Sequence, residues 1–241
     1  MEQDVAATRR PDLVLQLLVD TLAQVTPAGG SASVLDCGGG SGGVAVPLAR
    51  AGAQVTVVDA SADALATLVR RAAEATVADR ITAVQGDVED LDANAPAATY
   101  DLVLAHGILE VVDDLAGAFA GIAAAVRPGG RLSVLVGNPV AGVLARALAG
   151  DLAGALAELR ALDSDFAHPG PESVQALCRD RGLLLQAVHG LGVFRELVPG
   201  PSLDAPGAQA DLEALEAESA TRRTFAAIAP RVHLLAYRPG G

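Results

Sequence analysis

The fold is decided by residues 33–43, which read Ser-Val-Leu-Asp-Cys-Gly-Gly-Gly-Ser-Gly-Gly. A short apolar run ends in the carboxylate Asp36, and a glycine-rich turn then leads into an apolar-periodic segment from Val44 to Ala51. This order predicts a strand, a tight turn and a helix. Glycines permit positive φ angles and let a ligand approach the backbone closely. The turn's backbone N–H groups and the helix N-terminus are therefore predicted to face a ligand above the strand.

Two kinds of ligand fit this turn. Residues 38–43 satisfy the dinucleotide pattern G-x-G-x-x-G, with Asp59 placed to bind a ribose. Asp36 and the glycines that follow it, spaced D-x-G-x-G-x-G, equally resemble the loop of class I S-adenosylmethionine (SAM)-dependent methyltransferases. Asp36 favours SAM, because a carboxylate here would repel a pyrophosphate and attract the ammonium and sulfonium groups of SAM. A glycine turn that binds nothing is the third possibility.

Composition and charge restrict the class of function. The chain has 241 residues, 51% hydrophobic and only 2% aromatic, which is enough for one domain with a large core. A net charge of −12 and the absence of tryptophan argue against broad nonspecific binding of nucleic acid. Cys37 and Cys178 lie far apart, and no secretory or membrane-spanning run is present. We therefore predict a single cytoplasmic domain over residues 1–241, with no membrane partner and no metal site.

Strands alternate with helices along most of the chain, which predicts an α/β fold with a doubly wound, mostly parallel sheet. The predicted strands are 33–36, 54–59, 81–85, 100–105, 131–136, 183–188 and 232–237. The predicted helices are one within an N-terminal arm and helix (1–30) that Pro11 opens, then 62–75, 113–126, 171–181 and 210–220. Residues 127–130, Arg-Pro-Gly-Gly, predict a turn. Leucines at helical spacing predict a helical insert over 139–163, either a lid over the substrate or a helix packed on the core.

Polar residues stand at the carboxyl ends of the first four predicted strands. These residues are Asp36, Asp59, Asp87 and His106. Ligands of open α/β sheets bind outside the carboxyl ends of the strands. Asp59 is placed to reach ribose hydroxyls, and Asp87 to accept a hydrogen bond from an adenine amino group. Together they predict one binding edge.

Several motifs taken together resemble the class I SAM-dependent methyltransferases, and more narrowly the tRNA 5-carboxymethoxyuridine methyltransferase family. They are Leu-Asp-Cys-Gly-Gly-Gly (35–40), Asp-Ala-Ser (59–61), His-Gly-Ile-Leu-Glu-Val (106–111), Arg-Pro-Gly-Gly-Arg-Leu-Ser (127–133), Gly-Leu-Gly-Val-Phe (190–194) with Leu197, Leu215-Glu216, His233, Ala236 and Arg238-Pro239. The likeness extends from about Arg10 onward. It implies a Rossmann-like fold whose seven-stranded sheet has the order 3-2-1-4-5-7-6 and an antiparallel last strand.

The resemblance also implies the residues that hold SAM. Gly38 and Gly39 would contact the methionine moiety, Asp59 the ribose, and Asp87 with Val88 the adenine. His106 would lie beside the cofactor, and Arg10 would pair with its carboxylate. The predicted cofactor-binding residues are therefore Arg10, Asp36, Gly38, Gly39, Gly40, Asp59, Ala60, Asp87, Val88 and His106.

The reaction implied by the resemblance converts the carboxymethoxy group of a tRNA uridine into a methyl ester. A carboxylate nucleophile is already ionised, so such a site needs alignment and an arginine clamp rather than a general base. The family's arginine is replaced here by Gly192, and Arg195 is the candidate substitute. The alternatives are a small-molecule O-methyltransferase, a nicotinamide-dependent dehydrogenase and a SAM-binding protein without catalysis. A dry cavity without arginines under the insert would favour the small-molecule enzyme.

Overall fold

The computed structural model describes residues 13–162 and 169–240. The helices are α1 (Leu13–Val25), α2 (Ala45–Arg50), α3 (Ala62–Glu74), α4 (Leu91–Asn94), α5 (Leu115–Ala125), α6 (Pro139–Leu148), α7 (Leu152–Ala161), α8 (Pro171–Asp180), α9 (Ala208–Ala220) and α10 (Arg223–Ala226). The strands are β1 (Ser33–Cys37), β2 (Gln54–Asp59), β3 (Ile81–Gln85), β4 (Tyr100–His106), β5 (Val126–Gly137), β6 (Leu184–Leu191) and β7 (Arg231–Tyr237). Pro11 and Arg10 lie outside the described residues.

The seven strands form one sheet in the order β3-β2-β1-β4-β5-β7-β6, which confirms the predicted topology. Strands β1 to β5 pair in parallel, whereas β7 is antiparallel to both β5 and β6. Because β7 is reversed, its first residue, Arg231, pairs with Gly137 at the carboxyl end of β5. The amino end of β7 therefore reaches the same edge as the carboxyl ends of the parallel strands.

Helices cover both faces of the sheet, as predicted, and each face has its own core. One core contains side chains of α5, α8 and the central strands, among them Phe119, Ile122, Val174, Val103 and Leu132. The other core contains side chains of α1, α2, α3 and the same strands, among them Leu18, Leu48, Leu68, Val57 and Leu104. The near-continuous apolar sequence of β4 follows from its central place, where residues are buried on both faces.

The turn predicted at 127–130 lies within β5. Tyr100 pairs with Val126, and the register then shifts so that Leu102 pairs with Arg131. The four intervening residues therefore form an irregularity in the strand and do not end it, because Val126 still pairs with β4. Strand β6 also extends to Leu191, three residues beyond its predicted end.

The predicted insert consists of two helices, α6 and α7, joined by a tight turn. Only Ala141 and Ala155 of these helices are buried. The leucines that suggested a core-facing stripe are exposed, with Leu148 71% and Leu152 70% accessible. Of the two alternatives for the insert, the helix packed on the core is therefore wrong, because the two helices pack mainly on each other, and the lid stays a prediction. The last residue of the predicted insert, Asp163, lies outside the described residues.

Among the helices that the structure describes, none has the length and hydropathy that crossing a membrane requires.

A buried carboxylate joins the beginnings of β1 and β4 to β5. Asp101 accepts hydrogen bonds from Ser33 N (2.6 Å) and Ser33 Oγ (2.8 Å), and pairs with Arg127 Nε (2.6 Å). Burial by itself would raise the pKa of Asp101, but the bonds from Ser33 and Arg127 outweigh it and lower that pKa. The sequence did not single out Asp101, because its partners are distant along the chain.

We expect Asp101→Asn to lower the free energy of unfolding by about 2 kcal/mol, because it weakens charge-assisted bonds to a buried group. The matched control is Glu74→Gln, which removes an exposed ion pair with Arg70 (3.1 Å). That change should cost less than about 0.5 kcal/mol. Urea unfolding of both variants measures the two values, and equal losses would contradict the assignment.

Candidate active site

The glycine turn has the geometry that its sequence predicted. Gly38, Gly40 and Gly42 have φ angles of 70°, 53° and 80°, the left-handed region that favours glycine. Gly38 N donates to Val58 O (2.8 Å), which anchors the turn to β2. A β-carbon at Gly38 would lie 2.8 Å from Cδ1 of Ile108, so the segment after β4 closes directly on the turn. The turn thus offers closely approachable backbone between β2 and β4.

Asp36 lies beneath this turn and is the most unusual charge of the site. Its side chain is buried against Gly39, and its Oδ2 atom has no hydrogen-bond partner among the described residues. Burial, and secondarily the charge of Asp59, raises the pKa of Asp36 to about 7. An unpartnered buried carboxylate would be stabilised by an ammonium or sulfonium group and would repel a pyrophosphate. The site therefore fits SAM and does not fit a dinucleotide.

Asp59 links the turn to the start of α3. Its Oδ2 accepts from Gly40 N (2.8 Å) and its Oδ1 from Ser61 N (2.8 Å). Ser61 in turn caps α3 by accepting from Ala64 N (3.2 Å). Each carboxylate oxygen retains a second lone pair, so the carboxylate can still accept from two neighbouring hydroxyls. Ala60 is exposed beside it.

The residues after β3 divide between surface and core. Asp87 is exposed, and its Oδ1 accepts from Glu89 N (3.0 Å). The side chain of Val88 is buried in the core with Leu91. Any contact of Val88 with a ligand at this edge would therefore come from its backbone. The pairing of Cys37 with Val58 and Ala105 brings the ends of β1, β2 and β4 level, so Asp36, Asp59 and His106 share one edge.

His106 ends β4 and contacts a residue that the sequence reasoning missed. Burial, and secondarily the positive charge of Arg231, lowers the pKa of His106 to about 4. A β-carbon at Gly107 would lie 3.9 Å from Nη2 of Arg231. The predicted binding edge was built from residues at the carboxyl ends of the first four strands. Arg231 reaches the same edge from the amino end of the reversed strand β7. The antiparallel last strand was the signal that would have found it.

A cavity of about 330 Å³ lies between the carboxyl end of β5, at Gly137, and helices α6 and α7. It is lined by Glu110, Gly137, Asn138, Pro139, Ala141, Gly142, Ala145, Glu158, Pro169, Glu196 and Pro230. No arginine occurs among the described residues of this lining.

The charged side chains of the cavity are carboxylates. Glu110 Oε1 accepts from Gly137 N (2.7 Å), whereas its Oε2 is buried without a partner among the described residues. Glu158 Oε2 pairs with Arg146 Nε (2.5 Å), and Arg146 also pairs with Asp151 (3.1 Å). Arg146 is thus paired with two carboxylates, and the cavity offers acceptors of hydrogen bonds.

Arg195, the candidate clamp, does not line this cavity. It is exposed, and its backbone N donates to Glu216 Oε1 (2.8 Å), which also accepts from Phe194 N (2.9 Å). Strand β6 has already ended, and residues 192–198 form a turn. Gly192 has a φ of 78°, a conformation that an arginine would rarely adopt.

The comparisons with known proteins identify the class. Residues 34–130 match a family model described as a methyltransferase domain. The chain is 33% identical over 171 residues to the ubiquinone biosynthesis O-methyltransferase of Xanthomonas axonopodis pv. citri (strain 306), covering 70% of this chain and 69% of that protein. The chain belongs to the class I SAM-dependent methyltransferases, and SAM is its methyl donor.

A second relative matches almost the whole chain. The tRNA 5-carboxymethoxyuridine methyltransferase of Escherichia coli (strain K12) is 27% identical over 236 residues, covering 95% of this chain and 88% of that protein. The structure of geranyl diphosphate methyltransferase in complex with SAM superposes with a TM-score of 0.61 at 20% identity, covering 93% of this chain and 84% of that one. These matches confirm the predicted resemblance and fold.

Proposed function

We propose that this methyltransferase transfers the methyl group of SAM to a hydroxyl oxygen of a small molecule held in the cavity beneath α6 and α7. The observation that carries the proposal is the lining of that cavity, with three carboxylates and no arginine among its described residues. A cytoplasmic location belongs to the same proposal. It is supported by Cys37 and Cys178, which are buried and unpaired.

In this proposal, SAM binds at the sheet edge where β1, β2 and β4 end. Asp36 would stabilise the cationic end of SAM, and Asp59 would accept from the ribose hydroxyls. Gly38, Gly39 and Gly40 would let the backbone approach the methionine moiety. The remainder of SAM would be surrounded by residues that end or follow three strands, namely Ala60, Asp87, Val88 and His106. SAM supplies an activated methyl group, and the residues of the chain position it toward the cavity. The proposed role of Arg10 falls on a residue that the structure does not describe.

The acceptor side follows from the charges. An O–H or N–H group of the acceptor other than the reacting hydroxyl can donate a hydrogen bond to Glu110 Oε2, which would satisfy a buried group that is otherwise unpaired. A carboxylate acceptor would instead meet the unpartnered Oε2 of Glu110 and the exposed Glu196, while Glu158 is paired with Arg146. Repulsion in a partly desolvated site costs more than in water, so the cavity selects against anions.

Transfer to a tRNA carboxylate is the second candidate function. It is favoured by the 27% identity that extends over 95% of the chain. Arg231 is also favourable, because it lies beside His106 and Gly107 and no carboxylate of the described residues pairs with its guanidinium. In that case Arg231, and not Arg195, would be the clamp.

Methyl-labelled SAM distinguishes the two candidates. The protein is incubated with total tRNA and, separately, with the metabolites below about 1 kDa from a strain that lacks the gene. We expect base-stable label in the metabolite fraction, because a methyl ether resists mild alkali. Label in tRNA that mild base releases would overturn the proposal in favour of the second candidate, and base-labile label in the metabolites would show a carboxylate acceptor.

We expect Glu110→Gln to lower transfer to the metabolite fraction about tenfold, because it removes the charge that faces the acceptor while its amide oxygen still accepts from Gly137 N. SAM affinity should not change. The control is Glu172→Gln, an exposed residue in the first turn of α8. If Arg231→Ala lowered methyl transfer and Glu110→Gln did not, the assignment of the acceptor would be contradicted.

A further inference from the structure

Four polar side chains form a continuous hydrogen-bonded row inside the sheet. His106 Nε2 lies 2.8 Å from Ser133 Oγ, and Ser133 Oγ lies 2.8 Å from His233 Nε2. His233 Nδ1 then lies 3.1 Å from His189 Nδ1, and the two rings stack. Three of the chain's four histidines thus belong to this row, which we call the histidine relay.

The histidine relay crosses four neighbouring strands. His106 ends β4, Ser133 is on β5, His233 is on β7 and His189 is on β6. His189 and His233 are direct partners in the β6–β7 ladder. Ser133 and His233 are almost wholly buried, and His189, which is also buried, lies on the edge strand of the sheet. The relay therefore runs from the proposed methyl-transfer edge, through the core, to the outermost strand.

With neutral rings and the Ser133 hydroxyl donating within the row, two directions of hydrogen bonding satisfy all three contacts. In the first, His106 Nε2–H donates to Ser133, Ser133 donates to His233 Nε2, and His233 Nδ1–H donates to His189 Nδ1. His106 Nδ1 then carries a lone pair. In the second, every bond is reversed, and His106 Nδ1 carries a proton. The first state becomes the second when one proton enters at His106 Nδ1, three shift along the row and one leaves from His189 Nε2.

A hydroxyl acceptor needs such a path, whereas a carboxylate does not. The hydroxyl oxygen forms a bond to the methyl carbon, the carbon–sulfur bond breaks with its electron pair going to sulfur, and the O–H proton must leave. We propose that His106 accepts this proton and that the histidine relay carries it through Ser133 and His233 to His189, which is 7% exposed and releases a proton from Nε2 to solvent. The inference rests on the proposed hydroxyl acceptor.

The environment of the relay favours passing a proton on over storing it. Burial, and then the charge of Arg231, keeps His106 neutral near pH 7, and burial with the two neighbouring histidines lowers the pKa of His233 to about 3. Burial lowers the pKa of His189 as well. Because no ring of the relay holds a charge for long, transfer in a concerted shift is the favourable route.

Nitrogen-15 NMR of the histidine rings tests the coupling without any acceptor. The protein is saturated with S-adenosylhomocysteine, and the wild type is compared with Ser133→Ala and with Ser219→Ala, a second buried serine outside the relay. We expect Ser133→Ala to change the nitrogen-15 chemical shifts of the His189 ring. His233 would lose its bond to Ser133, and this would alter which of its ring nitrogens bonds to His189. Unchanged His189 shifts would overturn the relay, whatever the acceptor is.

Turnover tests the transport of the proton. With the label-accepting metabolite fraction, Ser133→Ala should lower kcat about tenfold and lose the solvent isotope effect, with KM for SAM unchanged. Ser133→Thr, which keeps a hydroxyl, should restore both. Wild-type kcat and isotope effect in Ser133→Ala would overturn the relay and leave the proposed function standing. Base-labile label on tRNA would overturn both, since a carboxylate has no proton to give.

Discussion

Replacement of Asp59 by alanine is expected to weaken the binding of SAM by at least about 100-fold. The carboxylate holds Gly40 N and Ser61 N at 2.8 Å each, and both bonds fix the turn against α3. The variant would lose these charge-assisted bonds together with those proposed to the ribose hydroxyls. Each is worth about 1.5–3 kcal/mol, and 1.4 kcal/mol is a factor of ten in affinity. Isothermal titration with SAM measures the change.

The control for this prediction is Asp63→Ala, an exposed acid in the first turn of α3. It removes the same charge from the same helix start but contacts no part of the turn. Its affinity for SAM should stay within about twofold of the wild type. Equal losses in both variants would mean that general electrostatics, and not the geometry of Asp59, holds the donor.

Raising the pH from 4 to 7 is expected to lower the free energy of unfolding of the ligand-free protein by about 3 kcal/mol through Asp36 alone. The pKa of Asp36 is raised from 3.8 to about 7 by burial and by Asp59. In this window the folded state keeps a proton that the unfolded state has released, so stability falls as pH rises. Asp36→Asn should remove this part of the slope in urea unfolding series.

The affinity for SAM should change in the opposite sense over the same range. Only ionised Asp36 attracts a cation, so binding should strengthen up to about tenfold per pH unit between pH 5.5 and 7. In Asp36→Asn the affinity should be low and nearly independent of pH. A variant that binds SAM like the wild type at pH 7 would show that Asp36 does not face the cationic end of the donor.

Local sequence patterns were sufficient to predict the conformation of the glycine turn and of the strands beside it. The glycine turn, the strand that precedes it and the acids at 36 and 59 are close in the chain, and their conformations follow from glycine geometry and apolar runs. β2 and β3 have the predicted limits, Gln54–Asp59 and Ile81–Gln85. The strand order came from the resemblance, since pairing between distant strands leaves no mark in periodicity.

The acceptor side could not be predicted in the same way. Arg231 and the members of the relay, Ser133, His189 and His233, meet only because β7 enters the sheet between β5 and β6 in the reverse direction. The leucines of the insert have helical periodicity whether they face a core or solvent, so the pattern did not reveal their exposure. The three carboxylates of the cavity come from three separate segments, and their spacing in the chain does not show that they meet.

The left-handed turn at Gly192 has a consequence for how this enzyme could change over evolutionary time. A single codon change could place an arginine there, as in the family that the chain resembles. Yet the side chain would impose a strained backbone costing about 1–3 kcal/mol, and its β-carbon would approach Pro230 within 3.4 Å. An arginine at this position would thus lower the stability of the fold, so selection would favour it only where the new charge brought a compensating gain in function.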